Sequence, residues 1–367
     1  MSEKIPKGWK WVKLGEVVTL QRGYDLPKTK MKKGDIPVVG SNGIIGYHNK
    51  ATTKAPGITI GRSGNIGNAY LHKSDFWAHN TTLYVKDFKG NDVIFLFYLF
   101  KNIDFNQLNA GSAVPTLNRN HIYPIEVKIP IRIEDQKAIA EVLSSIDDKI
   151  DLLHRQNKTL EEMAMALFRQ WFIEPTKDGL PEGWEEKALD EIAEFLNGIP
   201  SQKYHGDKLP VIKIKEMREG ITESSDYCNN NVPEKYLVNS GDILFSWSGS
   251  LEVVIWFGSI GVLNQHIFKV TSLEYPKWFC YLSIKQHIEE FRAIAESKTT
   301  TMGHIQREHL SNTKVFIPPK IFFENYNKTM TPIFDKIIAN NAEIQTLDKL
   351  RDILLPKLIS GELRVKS

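Results

Sequence analysis

Pro6-Lys7-Gly8-Trp9 is written again as Pro181-Glu182-Gly183-Trp184, 175 residues later, and the recurrence does not stop there. Leu14-Gly15-Glu16-Val17 answers Leu189-Asp190-Glu191-Ile192, and Gly23 answers Gly198, at the same spacing. Small insertions then move the offset to 185 at Gly64 and Gly249, and to 188 where Leu117, His121 and Pro130 match Ile305, His309 and Pro318. It ends at 187, with Ile146-Asp147-Asp148-Lys149-Ile150 matching Ile333-Phe334-Asp335-Lys336-Ile337 and Thr159-Leu160 matching Thr346-Leu347. A spacing that drifts only between 175 and 188 across half of a 367-residue chain marks an internal duplication.

Both copies have the same internal order. Strand-like runs come first, IPVVG, ITIGRSG and TTLYVKD in one copy and LPVIKIK, DILFSWSG and HIFKV in the other, separated by Gly, Ser and Asn. A helical stretch follows (92–109 and 276–296), then a loop with Thr and Gly, then a short apolar run ending at Pro130 or at Pro318-Pro319. A long helix closes each copy. The fold class is therefore α+β, with globular segments at 1–132 and 179–319 and helical segments at 133–178 and 320–367.

From Ile139 the apolar positions Val142, Ile146, Ile150, Leu153, Leu160, Ala164, Leu167 and Trp171 step by three and four, with one skipped place at Asn157. Met330, Ile333, Ile337, Ile344, Leu347, Leu354 and Leu358 repeat the pattern, with Asn340 and Arg351 inside the seam. Either stripe alone would stand in water, so the two helices are expected to pair as an antiparallel coiled coil, giving a pseudo-twofold molecule. Setting Asn157 against Asn340 also sets Ile150 against Leu347 and Leu160 against Ile337, apolar on apolar. A helix from 139 to 171 is about 50 Å long at ~1.5 Å per residue, which covers roughly 15 base pairs of duplex at ~3.4 Å each.

The net charge of +3 and the 41% hydrophobic content are those of an ordinary globular protein, and they exclude disordered, collagen-like and coiled-coil-only classes. Cys228 and Cys280 are too far apart for a Cys-x-x-Cys pair, which argues against a disulfide framework or a cysteine zinc site. With no apolar leader in MSEKIPKGWKWVKLGE and no long apolar run, a soluble cytoplasmic protein with no membrane partner is expected.

The near-neutral sum hides an uneven distribution. Residues 1–132 hold 19 Lys and Arg against 9 Asp and Glu, whereas 179–319 hold 14 against 19. The basic first segment suits a phosphate-facing surface, so its candidate DNA-binding residues are Lys28, Lys30, Lys32, Lys33, Arg62 and Ser63. Lys203, Lys213 and Lys215, with Ser246 and Ser248, are the candidates in the second segment. The loops 111–116 and 298–303 occupy matching places, and their hydroxyls, Thr116, Thr300 and Thr301, suit phosphate oxygens. Asn118, Arg119, Gln306 and Arg307, just beyond these loops, have side chains that can pair with base edges.

Catalytic signatures are missing. There is no Gly-Lys dipeptide and hence no phosphate loop for ATP, and no Asn/Asp-Pro-Pro-aromatic tetrad of an amino-methyltransferase. His304 and His309 lack metalloprotease spacing, and Glu185-Glu186-Lys187 fits only the end of a nuclease signature.

Three stretches carry a family likeness. Pro-x-Gly-Trp followed by Leu-Gly-Glu (6–16, with Leu189-Asp190-Glu191 in the second copy), Ala166-Leu167-Phe168-Arg169-Gln170-Trp171-Phe172, and Leu354-Leu355-Pro356-Lys357-Leu358-Ile359-Ser360-Gly361-Glu362-Leu363 resemble the specificity subunits of type I restriction–modification enzymes. The resemblance implies two target-recognition domains that each read one half of a split double-stranded DNA site, with the helices setting the spacer. It implies a chain that is not itself an enzyme, partnered by two modification subunits that methylate adenine at N6 and by restriction subunits. S-adenosylmethionine, ATP and Mg²⁺ then belong to those partners, and no cofactor or metal to this chain. Trp171, Phe172, Leu355 and Leu358 are candidate partner contacts. The alternatives are the recognition subunit of a fused restriction–modification enzyme, or a stand-alone methyltransferase or nuclease using Glu185 and Lys187.

Overall fold

The computed structural model describes residues 5–108, 116–200, 205–297 and 303–365, so Lys203, Thr300 and Thr301 lie outside the described residues. The chain divides into two compact units, residues 1–151 with 346–367, and residues 152–345.

In the first unit Trp9–Lys13 pairs antiparallel with Glu126–Pro130, closing the start of the copy on its end. Thr19–Arg22, Thr82–Asp87, Gly57–Gly61 and Ala69–His72 form, in that order, a four-stranded antiparallel sheet. A smaller sheet joins the hairpin of Ile36–Gly40 and Gly43–His48 to Trp77–Ala78, which runs parallel to the first of them. Helix Val93–Lys101, capped by the Asp92 carboxylate accepting from the Phe95 N–H at 2.8 Å, contributes six consecutive buried side chains to the core.

The second unit repeats the plan. Glu185–Ala188 pairs with Lys314–Ile317, and the four-stranded order is Glu194–Asn197, Ile267–Thr271, Ile243–Ser246, Val253–Ile255. Its smaller sheet again contains one parallel pair, His205–Ile212 with Gly261–Leu263. Two expectations are corrected here. LPVIKIK does not continue as a strand: Ile214–Glu219 is helical, because the Glu216 carboxylate takes the Lys213 N–H at 3.2 Å and turns the chain. The 276–296 stretch is two helices, Lys277–Gln286 and Ile288–Ser297, parted at His287.

Gly23 and Gly198 show how deep the duplication runs. Tyr24 bridges His79 in parallel, and Ile199 bridges Asn264 in the same way. A Cβ on Gly23 would fall inside the carbonyl oxygen of His79, and one on Gly198 inside that of Asn264. Glycine is needed at both for the same close backbone approach.

The long helices are Ile133–Phe168, extended by a wide π turn at Arg169–Ile173, and Lys320–Ser360. Within 152–345, Asn340 Nδ2 donates to Asn157 Oδ1 at 2.8 Å, and Trp171 stacks on Tyr326 at 4.4 Å. Both pairs have an index sum of 497, so these segments are antiparallel in the expected register, with Leu160 packed in the same core as Ile337. Within the first unit Arg351 reaches Asp147 at 3.2 Å, and Leu358 and Ile359 join Ile139, Ala140 and Leu143.

Asn340 is fully buried, and its Oδ1 has no hydrogen-bond partner among the described residues. Replacing Asn157 by Leu strands the other amide as well, at a cost of about 1–3 kcal/mol. Replacing both by Leu is expected to recover that loss, since no buried polar group is left uncompensated. Urea titrations of the single and double variants check this; a double variant weaker than the single one would contradict it.

The helices depart from the expected seam near residue 170. Phe172, not Trp171, enters the core, 1% exposed and ringed by Phe168, Phe279 and Phe323. Four-residue steps from Ala164 to Phe168 to Phe172 overshoot an α turn, and the wider π turn takes up the excess. Phe172 and Leu358 are therefore buried inside their own units, Leu355 packs partly against the first core, and Trp171 is covered on one face by Tyr326. The partner-contact assignment for Phe172 and Leu358 is corrected accordingly.

Candidate nucleic-acid interface

In the first unit Thr19–Arg22 and Gly57–Gly61 flank Thr82–Asp87 and are both antiparallel to it, so they run the same way. Arg22, at the end of one, and Arg62, just beyond the other, thus leave the same end of the sheet. The Arg62 backbone is held on both sides: its N–H donates to the Thr81 carbonyl at 2.8 Å and its carbonyl accepts from Leu117 N–H at 2.8 Å. Ser63 forms an isolated bridge with Thr116, which brings the Gly-Arg-Ser-Gly loop beside Thr116. Burial, together with the neighbouring Arg22 charge, holds the Arg62 guanidinium below its usual range. Among the described residues neither arginine has a carboxylate partner.

Lys28 and Lys30 form an exposed 3₁₀ turn, and Lys32 and Lys33 follow, also exposed. None of the four is in an ion pair with a described residue; the Lys32 N–H donates to His48 Nδ1 at 2.9 Å, which fixes the segment rather than its charges. This leaves an unbalanced positive surface.

The second unit builds the same corner with different chemistry. Trp247 N–H donates to the His266 carbonyl at 3.2 Å, Ile305 N–H donates to the Trp247 carbonyl at 2.9 Å, and Ser248 bridges His304. Trp247 thus occupies the place of Arg62, and Asn197 that of Arg22. The two touch: Trp247 Nε1 donates to Asn197 Oδ1 at 3.0 Å. Ser248 Oγ is hydrogen-bonded with His266 Nδ1 at 2.9 Å.

Several expected contact residues are used internally. Ser246 is fully buried, its Oγ donating to the Ser250 carbonyl at 2.7 Å and accepting from Glu252 N–H at 2.8 Å, so it offers nothing to a ligand. Lys213 pairs with Asp226, Arg218 with Glu252, and Lys215 Nζ donates to Ser224 Oγ at 2.5 Å. Carboxylates of this segment thus neutralise Lys213 and Arg218. Arg307 Nη2 donates to the Phe195 carbonyl at 2.9 Å and lies over the Phe268 ring, and Arg119 points at the carbonyl of Leu20, the residue matching Phe195, at 3.5 Å. These two arginines brace the sheet. Asn118 Oδ1 accepts from Asn120 N–H at 3.0 Å as a helix cap, while Gln306 is exposed at the start of Arg307–Asn312.

Glu185 and Lys187 lie at a groove of the second unit lined also by Glu274, Tyr275 and Phe323. Lys187 Nζ donates to Tyr275 Oη at 2.9 Å and stands 3.8 Å from both Glu185 and Glu274. That bond and the two carboxylates raise its pKa and commit it to an internal network. No described cluster of three or more His, Cys, Asp or Glu could hold a metal, and no helix among the described residues is long and apolar enough to cross a membrane.

The family model described as type I restriction modification DNA specificity domain matches residues 6–162 and again 181–352. The chain belongs to this family. Its two matched stretches are the two copies read from the repeat. Among curated proteins it is 29% identical to the type I restriction enzyme MjaIX specificity subunit of Methanocaldococcus jannaschii, over 99% of this chain and 95% of that one. It is 24% identical to the HindI specificity subunit of Haemophilus influenzae, over 70% of this chain and 72% of the relative. The solved type I restriction–modification S subunit of M. genitalium shares the fold with a TM-score of 0.60, at 18% identity and covering 97% of this chain and 98% of that one. Comparing the two matching corners brings out Arg22, Asn197 and Trp247. The offset of 175 that joins Gly23 to Gly198 also sets Arg22 opposite Asn197, and the lateral strand order sets Arg22 beside Arg62 and Asn197 beside Trp247.

Proposed function

We propose that this chain is the DNA-reading subunit of a type I restriction–modification complex, non-catalytic in itself and acting in the cytoplasm. Its two units each read one half of a split site. The observation that carries this reading is the corner built twice, with the same backbone hydrogen bonds and different side chains: Arg22 and Arg62 in one unit, Asn197 and Trp247 in the other. One scaffold with two different faces fits two different half-sites. The unpaired lysines of Lys28–Lys33 serve the phosphate backbone. Two modification subunits bring S-adenosylmethionine and methylate adenine, and restriction subunits use ATP and Mg²⁺.

Each long helix begins in one unit and ends in the other, which fits a spacer-setting role. Methylome sequencing of cells making this chain with its modification partner is expected to reveal a bipartite motif. Removing seven residues from each helix is expected to shorten the spacer by about 3 base pairs, from ~1.5 Å per residue and ~3.4 Å per base pair. A continuous motif, or an unchanged spacer, would count against the reading.

A further inference from the structure

We infer that the paired positions at the sheet end, Arg22 with Arg62 in the first unit and Asn197 with Trp247 in the second, determine base choice in the two half-sites. The first pair takes a base edge made only of acceptors, as guanine presents with O6 and N7. This rests on the DNA-reading role proposed above and names the residues that carry it.

The comparison between the copies does the work. A residue that reads sequence is free to differ between the copies, whereas the scaffold that positions it is not. What the copies keep is scaffold: Gly23 and Gly198, Ser63 and Ser248, Arg119 and Arg307, and the bonds fixing residues 62 and 247 to the neighbouring strand and loop. At the corner they differ completely, two guanidinium groups against an amide and an indole. Direct contact at this corner is explicit in the second unit, where Trp247 Nε1 donates to Asn197 Oδ1 at 3.0 Å. In the first unit the parallel run of the two strands puts Arg22 and Arg62 at that same corner.

The chemistry follows. Two guanidinium groups offer donors and no acceptor, and neither has a carboxylate among the described residues to spend them on. Their ligand must supply acceptors. A guanine major-groove edge and a phosphate diester both do so, and the partly buried Arg62, held by its backbone on both sides, favours the edge that needs fixed geometry over the flexible contact that exposed lysines already make. The second corner is uncharged and cannot make the same choice.

The experiment uses the complex of this chain with its modification partner, bound to a library of duplexes carrying the bipartite site. The variants are Arg62→Lys, the exchange Arg22→Asn with Arg62→Trp, and the reciprocal Asn197→Arg with Trp247→Arg. Expected is a loss of preference at one base pair of one half-site by roughly tenfold to a hundredfold, with the other half-site unchanged and the reciprocal exchange acting only on the second. Arg62→Lys keeps the charge and the fold but loses the fork, so it too should relax that base pair. A uniform loss over all sequences with a shallower salt dependence would show a phosphate anchor and overturn the inference, as would unchanged preference in all three variants. A wild-type complex with no bipartite preference would instead overturn the DNA-reading role itself.

Discussion

Phe172→Ala is expected to remove about 3–5 kcal/mol from the stability of the second unit, the range for emptying a fully packed aromatic site. The ring is 1% exposed and meets Phe168 at 4.8 Å, Phe279 at 5.1 Å, Tyr326 at 5.3 Å, and Phe323 at 5.8 Å. Those neighbours come from both long helices and from Lys277–Gln286, so no single side chain can move to fill the hole. Trp171→Ala, one residue away, removes a single stacked contact with Tyr326 and is expected to cost about 1 kcal/mol. Guanidinium denaturation of both variants gives the comparison. Equal losses would mean that the π turn does not direct Phe172 inward in solution.

Acidification is expected to weaken the first unit between pH 6.5 and 4. Burial lowers His72 from its ordinary 6.5 to about 4, and the ring is hydrogen-bonded with Thr59 Oγ1 at 2.9 Å and lies tilted against Phe76, 4.2 Å between ring centres. The folded state thus keeps the imidazole neutral, while the unfolded chain binds a proton below pH 6.5. The unfolded state holds more protons in this window, so stability is complete above it and falls as pH drops toward 4, by up to about 3 kcal/mol. His79, whose pKa burial also lowers, adds to the slope in the same direction. Denaturation midpoints from pH 7 to 4 for the wild type and His72→Gln test this. The variant should lose most of the slope, and a slope left intact would assign the effect elsewhere.

The long helices and the duplication were legible because both rest on spacing. Asn157 meeting Asn340 follows from two asparagines in largely apolar seams, and Gly23 with Gly198 follows from the shared offset of 175. Trp171 against Phe172 was not legible, since a π turn shifts which side chain faces inward without leaving a compositional mark. At the candidate site the repeat shows which loops occupy matching places, but not which of their side chains are spent on internal partners. An arginine in a loop has the same donors whether it meets a base or a carbonyl, and Arg307 spends one on Phe195. Ser246 resembled an exposed hydroxyl, but the turn at Ser250 and Glu252 closes over it. Arg22 lies 40 positions before Arg62, and only strand order makes them neighbours.

The segment from residue 346 to 365 belongs to the first unit. Gly361 turns with φ of 75° at a place where a Cβ would strike Trp9 and Pro6, and Leu358 and Ile359 cover Ile139 and Leu143. Domains usually fold in the order in which the ribosome delivers them. Here residues 152–345 are continuous and can be complete before residues 346–365 are made, whereas the first unit must wait for that segment. The half synthesised first is finished last, and a message cut short before codon 346 yields a protein whose amino-terminal unit has an open apolar seam.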